Sequence, residues 1–134
     1  MTKLNPEKIL VTDDSAFMRQ YEIGFLNEAG YKNIVEASNG AEAMKIYNRE
    51  KPDVIFLDLI MPVQDGITTL EQLVAKDAKV IVITAIGQTS YMEKVIKMGA
   101  KGYFVKPFFD AKEIDEKIKL VMSGGSFVPD EIKQ

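Results

Sequence analysis

Apolar and polar positions in this chain alternate by segment more than by residue. Short runs rich in β-branched and aliphatic side chains stand at KILVT (8–12), NIVEA (33–37), DVIFLD (53–58), KVIVIT (79–84) and GYFV (102–105). The first, third and fourth are nearly continuous in apolar character, which predicts strands of a parallel sheet covered on both faces. The segments between them repeat their apolar residues every three or four positions, the spacing of a helix face. After Asp14, the residues Met18, Tyr21, Phe25 and Ala29 form such a stripe, and Gly30 closes it. GAEAMKIYNRE (40–50) stops before Pro52. DGITTLEQLVAK (65–76) puts Ile67, Leu70 and either Leu73 or Val74 on one side, and SYMEKVIKM (90–98) ends at Gly99. A last helix opens on an Asp110 cap with Glu113 in its first turn, carries Ile114, Ile118 and Val121, and ends at Gly124–Gly125. Five strand-then-helix units predict an α/β, doubly wound, five-stranded parallel sheet flanked by helices. The folded unit is expected over residues 5–123, with 124–134 as a flexible C-terminal tail or linker.

In this architecture ligands bind outside the carboxyl ends of the strands, so the residue that follows each run matters. Run one is followed by Asp13 and Asp14, and run three ends at Asp58. Run four ends at Thr84-Ala85, and run five is followed by Lys106-Pro107. A single aspartate after a strand is ordinarily a helix cap, a role also open to Asp14. Three carboxylates, one hydroxyl and one ammonium at a single edge point further.

Composition removes most other chemistry. The chain is 46% hydrophobic and 28% charged, within the globular range, and 134 residues suffice for one full core. It has no histidine and no cysteine, which rules out disulfides, thiolate metal sites and the common nucleophile–base pairs. A net charge of −3 with no Lys/Arg cluster gives no footprint for nucleic acid. No signal-peptide pattern opens the sequence, and no apolar run approaches the roughly 18 residues of a membrane span. A cytoplasmic location with no membrane insertion is expected.

Charge counting then indicates a ligand. Three carboxylates against one lysine leave the cluster near −2, and two carboxylates about 5 Å apart repel by roughly 3 kcal/mol at an effective dielectric near 20. A hard divalent cation, Mg2+ in cells, offsets this with oxygen ligands alone and keeps some of its waters. Mg2+ beside an ammonium and a hydroxyl suits a phosphoryl group.

The pieces ILVTDDSAFMR, VIFLDLIMPVQDG, VIVITA and GYFVKPF, in that order, resemble the receiver domains of two-component response regulators, most closely stand-alone, CheY-like ones. The resemblance spans Lys8 to Met122 and implies a flavodoxin-like strand order of 2-1-3-4-5. It implies Asp58 as phosphoacceptor, Asp14 as a direct Mg2+ ligand, Asp13 acting mainly through a metal-bound water, and the Ile60 carbonyl as a further ligand. Thr84 would turn its hydroxyl to the phosphoryl group beside the small Ala85, and Lys106 would pair with the phosphate. Lys106–Pro107 would be a cis peptide, Gly66 the turn glycine after the acceptor loop, and Tyr103 the aromatic switch. Ile60 and Ile86 fall at the two positions that tune dephosphorylation.

A histidine kinase (CheA-like) is the implied phosphodonor, with a phosphatase as a further partner. The implied output is a motor or motor-adaptor protein in chemotaxis. Tyr91, Lys94, Lys97, Tyr103, Phe108 and Lys112 are the candidate contacts on the face of the fourth helix, fifth strand and fifth helix. The reading is of a signalling domain, not an enzyme, beyond catalysing its own Mg2+-dependent phosphorylation and dephosphorylation. Alternatives are an intermediate in a longer phosphorelay, or a receiver cut from a larger regulator near SGGS. A dehalogenase-type phosphatase would need a second acid two residues after Asp58, where Ile60 stands, and a P-loop is absent.

Overall fold

The computed structural model describes residues 6–61, 65–106 and 110–128. Strands and helices alternate: β1 (Ile9–Thr12), α1 (Ala16–Glu28), β2 (Ile34–Ala37), α2 (Gly40–Glu50), β3 (Val54–Leu57), α3 (Gly66–Val74), β4 (Val80–Thr84), α4 (Thr89–Lys97), β5 (Gly102–Val105) and α5 (Ala111–Met122). All neighbouring strands pair parallel, in the order β2-β1-β3-β4-β5, as the resemblance implied. The register aligns the carboxyl ends: Thr12 lies opposite both Ala37 and Leu57, and Thr84 opposite Val105. Main-chain bonds continue one residue past the strands. Asp13 donates to the Ala37 carbonyl at 3.1 Å, Asp58 to Thr12 at 3.0 Å and Lys106 to Thr84 at 2.8 Å. That extension fixes the backbone beneath three of the polar residues.

Alternate residues of each strand enter opposite cores, as the two-residue period of a pleated strand requires. Leu10, Ile55, Leu57, Val80 and Val82 join Leu70, Leu73, Met92 and Val95 on one face. Ile9, Val11, Phe56, Ile81 and Ile83 join Leu26, Ile114 and Ile118 on the other.

Helix α1 departs from the expected stripe. Its buried residues are Glu22 and Leu26, whereas Tyr21 is exposed, Phe25 half-buried and Phe17 75% exposed. The outer flank carries an aromatic series instead, with Phe17 stacked on Tyr21 at 6.4 Å and Tyr21 edge-on to Phe25 at 5.2 Å between ring centroids. Both stripes, 18-21-25-29 and 18-22-26-29, obey helical spacing, so apolarity alone favoured the outer one. The cap is Ser15 rather than Asp14: its hydroxyl accepts from the Met18 N–H at 3.2 Å. The Asp110 cap of α5 is as expected, accepting from the Lys112 and Glu113 N–H groups.

After α5 the chain does not trail away as expected of a tail, as far as Val128. Phe127 is only 7% exposed and its ring lies 4.9 Å from that of Phe104. Its N–H donates to the Lys101 carbonyl at 2.9 Å. Gly102 makes this possible, because a Cβ there would stand 2.1 Å from the Phe127 ring.

Candidate phosphoryl and metal site

At the carboxyl edge of the sheet, Asp13, Asp14 and Asp58 offer oxygens that all lie within 4.8 Å of one another. Asp13 and Asp58 are buried and Asp14 is exposed, so the cluster meets solvent at Asp14. Lys106 crosses from the end of β5, its Nζ donating to Asp13 Oδ2 at 2.6 Å and to Asp58 Oδ2 at 3.3 Å. Asp13 is also fixed by the Ser15 N–H on its Oδ1 at 2.9 Å, while Arg19 Nη1 donates to its carbonyl at 2.7 Å. The Ile60 N–H donates to Asp58 Oδ1 at 3.2 Å. That loop is held close by Gly66, whose N–H donates to the Leu59 carbonyl at 3.1 Å. A Cβ on Gly66 would stand 2.2 Å from the Leu59 Cα, so only glycine fits this approach.

The electrostatics follow from burial against these partners. Burial raises the Asp58 carboxyl above the usual range; the Ile60 N–H and Lys106 oppose it, and the charge of Asp13 adds to it. Burial alone would lower Lys106, but the hydrogen bond to Asp13 and the charges of Asp58 and Asp13 outweigh it and raise the ammonium. A fourth carboxyl lies beneath. Glu22, 3% exposed, is pushed up to about 9 by burial and then by the charge of Asp13. The Oγ1 of Thr84 is buried and has no hydrogen-bond partner among the described residues.

Three carboxylates with one ammonium, all donors being oxygen, fit a hard divalent ion that keeps part of its water shell. An orphaned buried hydroxyl on β4 is a donor in want of an acceptor, which a phosphoryl oxygen would supply.

The other sequence-predicted residues fall as follows. Ala85 is exposed, Ile60 stands 56% exposed two residues after Asp58, and Ile86 is half-buried. The Tyr103 ring is buried in the core, its hydroxyl donating to the Ile86 carbonyl at 2.6 Å. Tyr91 is half-buried, with Lys94, Lys97 and Lys112 exposed. Phe108 and the Lys106–Pro107 peptide lie outside the described residues. Glu22 is the residue the sequence reading missed. Its signal was the spacing to Leu26, one turn further along α1.

The doubly wound sheet of this order bears, at its carboxyl edge, an acidic cluster bridged by a lysine, an arrangement that could hold a hard cation. The chain belongs to the response regulator receiver domain family, whose sequence model matches residues 9–119. It is 44% identical over 103 residues to the chemotaxis protein CheY of Listeria monocytogenes, covering 75% of this chain and 87% of that protein. To CheY of Thermotoga maritima it is 38% identical over 111 residues, covering 81% and 92%. Among solved structures, CheY in the CheX–CheY–BeF3–Mg2+ complex from Borrelia burgdorferi superposes with a TM-score of 0.75 at 32% identity, covering 81% of this chain and 84% of that one. The Francisella response regulator 1452 receiver domain gives 0.78 at 31% identity, covering 88% and 97%. The chain is thus a CheY-like receiver of two-component signalling. No helix among the described residues is long and apolar enough to cross a membrane.

Proposed function

We propose that the chain accepts a phosphoryl group on Asp58 from a kinase phosphohistidine and relays the change to an output partner in chemotaxis. The observation that carries this is Lys106 bridging Asp13 and Asp58 at the sheet edge where the buried Thr84 hydroxyl has no partner among the described residues. A carboxylate oxygen of Asp58 attacks phosphorus, the bond from phosphorus to the donor imidazole nitrogen breaks, and the imidazole leaves with that electron pair and takes a proton from solvent. Having no histidine, this chain cannot itself be the donor.

Asp13, Asp14, Asp58 and the Ile60 carbonyl would hold Mg2+, which when bound supplies charge neutralisation at the phosphoryl oxygens. That the Borrelia relative was captured with BeF3 and Mg2+ supports the same pair of ligands here. Lys106 turns from the carboxylates to the new phosphoryl oxygens, and the Thr84 hydroxyl donates to one of them. The group adds about −1.5 to −2 charge at one point. The Thr84–Ala85–Ile86 segment responds, and through the Ile86 carbonyl the Tyr103 hydroxyl and the α4, β5 and α5 face respond with it. Output is read there by a motor or motor-adaptor protein, with Tyr91, Lys94, Lys97 and Lys112 as contacts.

Mass spectrometry of the protein with Mg2+ and acetyl phosphate, beside Asp58→Asn, tests the reading. One added phosphoryl mass in the wild type and none in the variant supports it. A gain in both, or in neither even with a phosphorylated kinase, overturns it.

Ile60 and Ile86 set a second expectation. Neither side chain can hydrogen-bond a water attacking the acyl phosphate. Ile60→Asn and Ile86→Glu should therefore shorten the phosphoryl lifetime several-fold, within the range of about a hundredfold or more open to a positioned general base. Decay of the radiolabelled protein measures it, and unchanged lifetimes defeat it.

A further inference from the structure

The Asp13–Asp14 turn carries two of the three acids of the site, and the main chain of Asp13 is returned to β2 at both its groups. The Asp13 N–H donates to the Ala37 carbonyl at 3.1 Å. The Asp13 carbonyl accepts from Arg19 Nη1 at 2.7 Å, and the same guanidinium donates through Nε to Glu36 Oε1 at 2.9 Å. Glu36 precedes Ala37 on β2 and stands opposite Val11 in the register. Gln20 Nε2 gives that carboxylate oxygen a second donor at 3.2 Å. Arg19 is itself set one turn after the Ser15 cap, its N–H on the Ser15 carbonyl at 2.9 Å. A guanidinium holds its donors in a rigid planar fork, so one bound to both partners leaves the carbonyl little freedom.

The side from which this tie acts matters. Lys106 reaches Asp13 from the end of β5, whereas Arg19 ties it to β2, on the other flank of β1. Lys106 is the partner that phosphorylation draws away. The link to β2 does not pass through the phosphoryl group, so it stays when the ammonium turns. Glu36 is 39% exposed, and an ion pair this open to water adds little stability by itself. Its effect lies in where the Asp13–Asp14 peptide is held.

We propose that Arg19 is a positioning residue of the phosphorylation site, its guanidinium pinning the Asp13 carbonyl to Glu36 so that Asp13 and Asp14 are presented together to the divalent cation. This rests on the reading of the acidic cluster as a Mg2+ site. Partners that touch a ligand residue and not the metal typically carry about 10- to 100-fold in metal affinity. Charge acts the other way. Removing a cation from beside three carboxylates leaves the site more negative, so by charge alone Arg19→Met would bind a divalent ion more tightly. Position and charge therefore predict opposite signs. At Glu36 the two are separated by glutamine, which loses the charge but keeps an oxygen to accept from Nε, while methionine loses both.

The probe is Mn2+, whose free concentration is read by electron paramagnetic resonance, titrated into wild type, Arg19→Met, Glu36→Met, Glu36→Gln and Asp14→Asn. Arg19→Met should bind Mn2+ at least about tenfold more weakly than wild type. Glu36→Met should also bind more weakly, with Glu36→Gln within about twofold of wild type. A smaller loss in Arg19→Met, no change, or tighter binding overturns the proposal. So do equal losses in the two Glu36 variants, which assign the effect to charge and not to position. Melting in EDTA shows whether each variant is folded; a lower melting temperature with unchanged Mn2+ affinity marks a merely structural contact and overturns the proposal as well. If Arg19→Met is unfolded, the Glu36 pair decides: weaker binding in Glu36→Met alone supports positioning, and any other pattern overturns it. If the wild type binds no Mn2+, or Asp14→Asn binds as well as wild type, the metal reading itself falls and the proposal with it.

Discussion

Replacing Lys106 by methionine should lower the stability of the metal-free protein by about 3–5 kcal/mol at neutral pH, the usual result of removing one partner from a buried ion pair. The Lys106 side chain is 14% exposed and spans carboxylates that are 1% and 8% exposed, so water cannot take over its role. Without it, Asp13 and Asp58 face each other uncompensated. Because the folded-state value of Lys106 is raised, its contribution is full below the ordinary lysine range and is lost as pH rises through the folded value. The carboxylates add a second dependence. Repulsion in the variant falls as the Asp58 carboxyl, which burial raises, is protonated, so the deficit should shrink on acidification. Urea unfolding in EDTA at several pH values measures this, and repeating it with Mg2+ adds a sharper test. A cation held by the same carboxylates, as proposed, should recover much of the loss. Equal stability of variant and wild type in EDTA would mean that Lys106 does not balance the cluster.

Phe127→Ala should cost about 3 kcal/mol, the low end for losing a buried phenylalanine, because Phe127 lies at the margin of its core. The ring covers Gly102, lies against Phe104 and takes the Lys117 ammonium 5.2 Å from its centroid. Gly102→Ala should act through the same contact, since its Cβ would displace the ring. The two substitutions should therefore fall well short of additivity when combined. Urea unfolding of the single and double variants measures it. A loss below about 0.5 kcal/mol for Phe127→Ala, the scale of an ordinary surface change, would mean that the segment merely rests on the sheet.

The fold was legible because the five apolar runs are short, β-branched and bounded by polar residues, a pattern that few architectures accommodate. The cluster was legible for a related reason. Asp13, Asp58 and Lys106 each follow a strand directly, and parallel strands in register bring such residues to one edge.

Two features were not legible, and both depend on tertiary contact. The phase of α1 was ambiguous because two stripes share Met18 and Ala29. The sheet buries the one containing Glu22 and Leu26, a choice set by where Ser15 starts the helix. The seat of Phe127 depends on a missing side chain at Gly102, twenty-five residues earlier in the chain, and SGGSFV alone has the composition of a linker.

The position of Phe127 also bears on how copies of the chain meet. Strand β5 is the outermost of the sheet next to β4, and an outer strand offers unpaired main-chain groups to any passing strand. The Phe127 N–H occupies the Lys101 carbonyl where that strand begins, and the ring screens the glycine beside it. A version cut after Ser123 would lose this guard and expose Phe104 along with the bare edge. Its first failing would then be self-association through β5, visible as concentration-dependent growth in light scattering before any loss of helix content.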